Sequence, residues 1–397
     1  LQVRYRYRLY PTPGQKQALA RQFGCCPVVW KDALALSQSI YQEGRKYPDG
    51  GELQKCCITQ AKRTEERSCL SEVSASVLQQ SVRDLDKAFR FWWESKGKVR
   101  APRFKKRSTA QSARICGRDF RTTDRDVHFQ KVGELKLHRS RPLPSPPSSC
   151  TIIKDCPGRC FASFVVDLED RDLSPVFGQN IGIDLGLASL TVTSDGEKIA
   201  PPKFLRAALK PLRRLQRNLK HKQRGSNRLA LARLRVAKLH AKVADRRLDF
   251  LHKPSTRLIH ENQAVCIEDL NVSGMVKNPK LSRAIADAGW RTFRILLEYK
   301  ADLYGRALKV VSRREPTSQV CSACGHRDGK KPLSVRAWTC PACGAEHDRE
   351  VNAARNILAA GLAARLNGRG AKSKTSLLAA GCETSTRLNQ EGPLCPA

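Results

Sequence analysis

Three short acidic segments follow one another along the last two thirds of the chain, each placed where an uncompensated charge is costly: IGIDLG (181–186), VCIEDL (265–270) and HDREVNAARN (347–356). Asp184 lies inside an apolar strand pattern, between Ile183 and Leu185. A carboxylate there costs several kcal/mol unless it sits at a sheet rim or meets a cation. Glu268 and Asp269 end a second apolar strand in the same way. Asp348 and Glu350 open an alanine-rich helical stretch, where the macrodipole alone favours an acid. Each segment has an ordinary explanation by itself; all three together in a basic chain do not. Three carboxylates on adjacent strand ends and a helix N-terminus can hold two Mg²⁺ ions roughly 3.5–4 Å apart. The scaffold such an arrangement calls for is a mixed-sheet, ribonuclease-H-like fold.

Between the second and third segments lie Cys321-x2-Cys324 and Cys340-x2-Cys343, fifteen residues apart, each pair followed by a glycine (Gly325, Gly344). This spacing predicts a closed, structural zinc site of the ribbon type rather than two redox pairs. His326 and His347 are alternative ligands, although four thiolates already complete a tetrahedron. Cys25, Cys26, Cys56, Cys57, Cys69 and Cys266 sit among apolar or helical residues and read as small core fillers.

The charge balance narrows the partners. With 73 Lys and Arg against 37 Asp and Glu, the formal net charge is +36. Such a surplus opposes compaction unless polyanions screen it, and nucleic acid does so with release of counterions. Hydrophobic residues make up 40% of the chain, enough for real cores. No apolar run is long enough to span a bilayer and no signal-peptide core is present, so a cytoplasmic protein without a membrane partner is expected. The chain opens on Leu1 and holds one methionine, Met275, as a non-AUG start or a trimmed terminus would give.

The patterns along the chain predict a multidomain α+β and α/β architecture. Residues 3–10 (VRYRYRLY) alternate as a half-buried strand with a cationic outer face. Residues 13–95 read as three or four helices interrupted near YPDGG (47–51). Trp92 and Trp93 within them read as core rather than as a base-stacking platform. Residues 96–178 carry short strands: KGKVRAPRFKKR, VHFQKVGELKLH, CTIIKD and CFASFVVDLED. With strand 1–12 they suggest a small β-barrel into which the helical lobe is inserted. A second unit covers 179–314 and 346–366, with residues 315–345 inserted as the ribbon. It opens on a hairpin pair with an Asp195-Gly196 turn. Residues 203–248 form a helical hairpin around Gly225 that carries 16 Lys and Arg and one acid, Asp245. The near absence of acids marks a phosphate-facing surface, with Arg213, Arg214, Arg217, Lys220, Lys222 and Arg224 as candidate contacts beside Lys105 and Lys106. A single amphipathic helix is expected over 281–306, a strand over ALKVVS and a closing helix over 350–366. The tail from 367 to 397 lacks periodicity and reads as disordered.

The segments RLYPTPGQ, FGCCPVVW, VLQQSVRDLDKAF, PRFK, GIDLG, IEDLNVSGM, WRTFRILLEYKA and SQVCSACG…CPACGAEHDREVNAARNI jointly resemble the TnpB family, over roughly 1–366. TnpB proteins are transposon-encoded RNA-guided DNA endonucleases related to the type V CRISPR effectors. The resemblance implies a wedge-like barrel, a short helical recognition lobe and a split RuvC-like nuclease domain. It further implies a zinc-ribbon insertion for target loading. Its expected partners are a guide RNA from the transposon end and double-stranded target DNA, the protein being a monomer with its RNA. The catalytic set carried over is Asp184, Glu268 and Glu350, Mg²⁺ being the catalytic metal and Zn²⁺ the structural one. Gln79 and Gln80 are candidates for reading a target-adjacent motif through base edges. The departure lies at residue 350, where the family pattern HDRD-x-NAA has aspartate. The extra methylene adds roughly 1.5 Å of reach, and misplacement by about 1 Å can cost on the order of 100-fold in rate. Asp348, two residues away, is a substitute ligand. A guided DNA binder with weakened cleavage is therefore the second reading, and a strand-transferring transposase a third that the lobes fit poorly.

Overall fold

A computed structural model gives the fold and describes residues 1–104, 110–168, 179–332 and 334–366. Lys105, Lys106 and the tail at 367–397 lie outside the described residues. The chain divides into two compact units between Asp170 and Arg171.

In the first unit, strand β1 (Gln2–Leu9) leads through Thr12 into helix α1 (Pro13–Gln42). Thr12 and Gln15 cap each other's backbone amides, and Pro13 takes the first helical position, where its missing N–H costs nothing. Asp49 caps a one-turn helix, α2 (Gly50–Gln54), and tighter and wider helical turns over 55–72 lead to α3 (Ala75–Glu94). The remaining strands are β2 (Gln111–Cys116), β3 (Phe120–Thr122), β4 (Asp126–Phe129), β5 (Gly133–His138), β6 (Ser149–Lys154) and β7 (Cys160–Asp167). They order as β2-β6-β7-β1-β5-β4-β3 with every neighbour antiparallel. The helices are thus inserted between the first and second strands. Tyr7, Leu9, Phe129 and Phe164 line the inner face of the sheet against Leu19, Phe23 and Val77. A second core, including Val29, Leu34, Leu53, Leu70, Leu78 and Leu85, holds the helices together.

The expected barrel is not closed among the described residues: no ladder joins β2 to β3. The two edges are consecutive in the chain, joined by the three-residue turn Gly117–Asp119, with Gly117 at φ +67°. The chain turns a corner there, so that β2 pairs with β6 and β3 with β4 rather than with each other. The first segment expected as a strand also differs, since residues 97–104 form no strand.

The second unit opens on β8 (Asn180–Leu185), β9 (Thr191–Thr193) and β10 (Lys198–Ile199), with Gly196 at φ +94° in the turn. Helices α4 (Phe204–Lys220) and α5 (Asn227–Glu261) form the basic hairpin. Asp287 accepts bonds from the Leu205 and Arg206 amides at the start of α4 and pairs with Arg247 of α5 at 3.1 Å, anchoring the hairpin base. Strand β11 (Ala264–Glu268) follows, then α6 (Val272–Met275), α7 (Ser282–Ala288), α8 (Trp290–Leu303) and β12 (Ala307–Val311). The single helix expected over 281–306 is two, because Gly289 takes the left-handed conformation at φ +71° between them. Near Pro254 of α5 the buried Lys300 of α8 donates to the His252 carbonyl, Ser255 and Thr256 at 2.9, 2.7 and 2.6 Å. Strands β13 (Ala337–Thr339) and β14 (Glu346–Asp348) pair within the ribbon, and α9 (Arg349–Leu366) closes the unit.

The sheet orders as β10-β9-β8-β11-β12, with β8, β11 and β12 parallel and β9 and β10 antiparallel. Helix α9 lies across it at a separation that glycine sets. A Cβ on Gly182 of β8 would overlap the Ala354 carbonyl oxygen and come within 2.8 Å of Leu358 Cβ. On the helix side, a Cβ on Gly361 would run into Cys266 of β11, 2.9 Å from its Cβ. Gly24, in α1, has nothing within 4 Å of its Cβ position. Gly182→Ala and Gly361→Ala are expected to destabilise by about 3 kcal/mol or to give insoluble chain, since backbone must move. Gly24→Ala is expected to stabilise by about 0.5–1 kcal/mol. Denaturant unfolding of the three variants separates close packing from generic glycine loss.

Candidate active site

Strands β8 and β11 run in register, Ala264 opposite Asn180 through Ile267 opposite Ile183. One residue further, the same register brings Asp184 beside Glu268, on neighbouring strands about 4.8 Å apart. Helix α9 delivers the third acid from its first turn. Burial, then the Glu268 charge, then that of Glu350 raise the Asp184 carboxyl to about 7, so the three groups share one field. Glu268 is raised as well, first by burial and then by Asp269. Neither Asp184 nor Glu268 forms an ion pair among the described residues. Two half-buried carboxylates without an ion pair among the described residues, Asp184 also feeling the field of Arg349, lie near a third that is itself paired with Arg336.

Glu350 and Asp348 are used differently. Glu350 accepts from Arg336 Nη1 at 2.9 Å and from the Ser189 hydroxyl at 3.4 Å. Asp348 caps α9, accepting the Glu350 and Val351 amides at 3.0 and 3.1 Å, and its other oxygen pairs with Lys198 at 2.6 Å. Helix capping and an ammonium partner hold the Asp348 carboxyl below the usual range despite burial. Ser189, Lys198, Arg336, Asp348 and Glu350 line one cleft of about 230 Å³. At the end of β11, Asp269 turns to Arg294 (2.6 Å) and Arg313 (2.7 Å), whose bonds lower its pKa. Only Glu268 of that adjacent pair is left beside Asp184.

The four cysteine sulfurs all lie within 4.8 Å of one another. Cys321 to Cys343 and Cys324 to Cys340 are each 3.7 Å apart. A tetrahedron of sulfurs about 2.3 Å from a central zinc has edges of about 3.8 Å, so the spacing fits that ion. His347 is placed just outside this set, its Nε2 3.0 Å from Cys321 Sγ. His326 contributes its backbone, its carbonyl accepting the Cys321 amide at 2.9 Å.

The remaining candidates are dispersed. Arg213, Arg214, Arg217, Lys220 and Arg224 are exposed on the α4–α5 hairpin and Lys222 is half-buried. None of the six pairs with a carboxylate among the described residues. In the first unit Gln80 is buried; its amide donates to Asp84 at 3.0 Å and it accepts from Cys116 at 3.3 Å, while Gln79 is half-buried. Sequence reasoning missed Ser189, Lys198 and Arg336, which carry no spacing signal. It also passed over Asn352 and Asn356, whose spacing of four in an alanine-rich helix was visible.

Comparison with known proteins bears on this geometry. The family model "Probable transposase" (OrfB_IS605) matches residues 163–279, the "Cas12f1-like, TNB domain" model 290–357, and the OrfB_IS605 "Helix-turn-helix domain" model 1–46. In this chain the last of these spans is a strand and one long helix. A Streptomyces pristinaespiralis protein named "Putative RNA-guided DNA endonuclease" is 44% identical over 373 residues, 92% of this chain and 91% of that protein. An Escherichia coli (strain K12) protein with the same printed name and the suffix InsQ is 30% identical, over 90% and 92%. The fold resembles that of a chain from a Cas12f1–sgRNA–target DNA complex solved by cryo-EM, with a TM-score of 0.54 at 14% identity, over 86% of this chain and 82% of that one. With relatives at this identity along nearly its whole length, the chain belongs to the TnpB family of OrfB proteins from IS605-type elements.

Proposed function

We propose that this chain is an RNA-guided, Mg²⁺-dependent DNA endonuclease of a transposable element, cutting target DNA beside a short adjacent motif. A guide RNA from the transposon end would supply sequence specificity by pairing. The observation that carries the reading is that the charges of Glu268 and Glu350 both act on the buried Asp184, with Asp184 and Glu268 forming no ion pair among the described residues. These residues would hold one or two Mg²⁺, which when bound supply charge stabilisation and an activated water for phosphodiester hydrolysis. The five-stranded sheet with α9 across it is read as a RuvC-like scaffold over 179–314 and 346–366. Residues 315–345 are read as its zinc ribbon, 13–95 as the recognition lobe, and 1–12 with 96–178 as the wedge. Exposed cations of the α4–α5 hairpin would follow guide–target duplex or displaced strand.

The chain's own groups prepare the site. Ser189 and Arg336 hold the two oxygens of Glu350, so the longer side chain is fixed rather than free. Asp348, spent on the helix cap and Lys198, orients the amide of Glu350 itself. A guided binder that does not cut is the second reading. It is favoured by glutamate at 350 and by the guanidinium already on its carboxylate. Co-expression with flanking transposon-end RNA, followed by plasmid cleavage in Mg²⁺, decides between them. The expected result is cutting by the natural chain, complete loss in Asp184→Ala, and no more than about tenfold change in Glu350→Asp. Cutting by Glu350→Asp alone, with target binding by both, would establish the binder. Cutting that survives Asp184→Ala would sink the acidic trio.

The raised Asp184 carboxyl has a stability consequence in EDTA. Its folded pKa of about 7 exceeds the ordinary carboxylate value, so the folded state binds the extra proton between these limits. The ionisation penalty is therefore absent below pH about 4, grows as pH rises and is complete above about 7. Asp184→Asn should be more stable than the natural chain at pH 8, with the difference shrinking towards pH 4. Unfolding curves across that range that run parallel would count against the shared field. For the ribbon, one zinc per chain is expected by atomic emission, falling below half in Cys321→Ser. A chain purified with full occupancy of iron and no zinc would contradict the zinc assignment.

A further inference from the structure

The first cysteine knuckle is gripped from both sides by the segment that carries Glu350. Val320 and Ser322 flank Cys321 in the chain. Asn352 accepts the Ser322 amide at 2.8 Å and donates to the Val320 carbonyl at 2.8 Å. One turn later, Asn356 donates to the same Val320 carbonyl and to that of Thr317, both at 2.7 Å. From the preceding strand, His347 places Nε2 3.0 Å from Cys321 Sγ. Its ring packs on Trp338 at 4.7 Å, and the Lys331 ammonium covers the far side of that indole at 3.6 Å. Glu350 sits between His347 and Asn352, and its own partner, Arg336, is a ribbon residue whose carbonyl accepts the Arg349 amide at 2.8 Å.

These bonds exceed what a stable ribbon or a stable helix requires. Asparagine is a poor interior helix residue, and Asn352 is 1% exposed, so its amide would be costly without both partners. Two such residues spaced by four put their carboxamides on one face, beside the knuckle and away from the Ala354–Leu358 face that meets Gly182. Helix α9 is held down on the sheet by the glycine contacts, which leave rotation and sliding of its first turns to be fixed by something else. The knuckle touches those turns through four bonds, beside the single bonds from Lys198 to Asp348, from Ser189 to Glu350 and from Arg355 to the Ser194 carbonyl.

We propose that Asn352 and Asn356 are positioning residues coupling the four-cysteine site to the acidic trio, so that an ordered, zinc-filled first knuckle places the Glu350 carboxylate and raises divalent-ion affinity there. The proposal rests on the acidic-trio reading above. Neither asparagine touches the reacting groups; each acts through the orientation of α9. Coupling between binding sites is reciprocal, so a divalent ion at the trio must tighten zinc by the same factor.

The test uses the full chain without RNA, in high salt, with Mn²⁺ as the probe and free Mn²⁺ read by electron paramagnetic resonance. Zinc content and melting temperature are measured on the same samples. Asn352→Ala and Asn356→Ala are expected to keep one zinc while weakening Mn²⁺ about tenfold, as loss of an outer partner typically does, with a lowered melting temperature in Asn352→Ala and a smaller change in Asn356→Ala. Chelation and desalting to remove zinc should weaken Mn²⁺ similarly in the natural chain. It should add less than twofold in either variant, because the same coupling is already broken. Zinc competition against a chromophoric chelator should shift by the matching factor when Mn²⁺ is present. If Asn352→Ala does not fold, the half-buried Asn356 carries the test. Mn²⁺ affinity within twofold of natural in a folded, zinc-filled Asn356→Ala overturns the coupling while leaving the trio standing. Mn²⁺ uptake that Asp184→Ala does not reduce overturns the trio, and the coupling with it.

Discussion

The distance between helix α9 and the sheet beneath it is the constraint on which the rest of the second unit depends. Gly182 on β8 and Gly361 on α9 each admit a neighbour where a Cβ would stand. Close approach of this kind buries Ile357, Ala353 and Ala354 against the sheet and leaves no solvent layer between. It also lowers the N-terminus of α9 to the level of the strand ends. A carboxylate in the first helical turn can then face Asp184 across a few ångströms. Had either glycine been alanine in an otherwise identical chain, the helix would ride higher and its acid would miss the site. The sheet supplies two acids by register, and the third arrives only because two side chains are absent.

Electrostatics then sorts the five acids near the strand ends into those that are neutralised and those that are not. Asp269 carries two arginines, Asp348 a helix cap and a lysine, and Glu350 the Arg336 guanidinium. Asp184 and Glu268 carry none, and their pKa values rise accordingly. Burial without a counter-ion is a standing cost, and a chain with 73 Lys and Arg does not lack cations to relieve it. Among the described residues, the cationic relief given to Asp184 is the weak field of Arg349, while Asp269 and Asp348 are directly paired.

How much of this was legible follows from the kind of signal each feature leaves. The strand pattern at 3–10, the helix start at Pro13, the Asp195-Gly196 turn and the cysteine spacing are local patterns, and each matched the structure where the sequence placed it. Register is also local once the strands are known, so Asp184 and Glu268 could be paired in advance. The failures are of a different kind. Gly289 splits the helix of 281–306 because its left-handed backbone is needed where Leu251 and Arg247 crowd it, and both lie far away in sequence. The chain of the first unit turns a corner at Gly117 between its two sheet edges, which no alternation pattern reports. Gln80 looked like an exposed amide on a helix, but the Asp84–Arg114 pair and Cys116 close over it. Ser189 and Arg336 come from loops and Lys198 from the two-residue strand β10, where side-chain direction is set by tertiary contacts.

The glutamate at 350 can be weighed against this background. An aspartate at the start of α9 would stop roughly 1.5 Å short of where the glutamate carboxylate stands, given the same helix height. The longer side chain pays an entropy cost to be held, and here both of its oxygens already have donors, Arg336 from the ribbon and Ser189 from the turn after β8. A side chain fixed at both oxygens does not behave as a loosened ligand with an idle methylene. Its reach is set by the same glycines that set the helix height, and its orientation by the ribbon that contacts the next turn. Substitution at this position is therefore a change in three linked distances, helix to sheet, ribbon to helix and carboxylate to carboxylate, rather than one added methylene. That is a physical reason for judging the glutamate with its surroundings rather than by the residue alone.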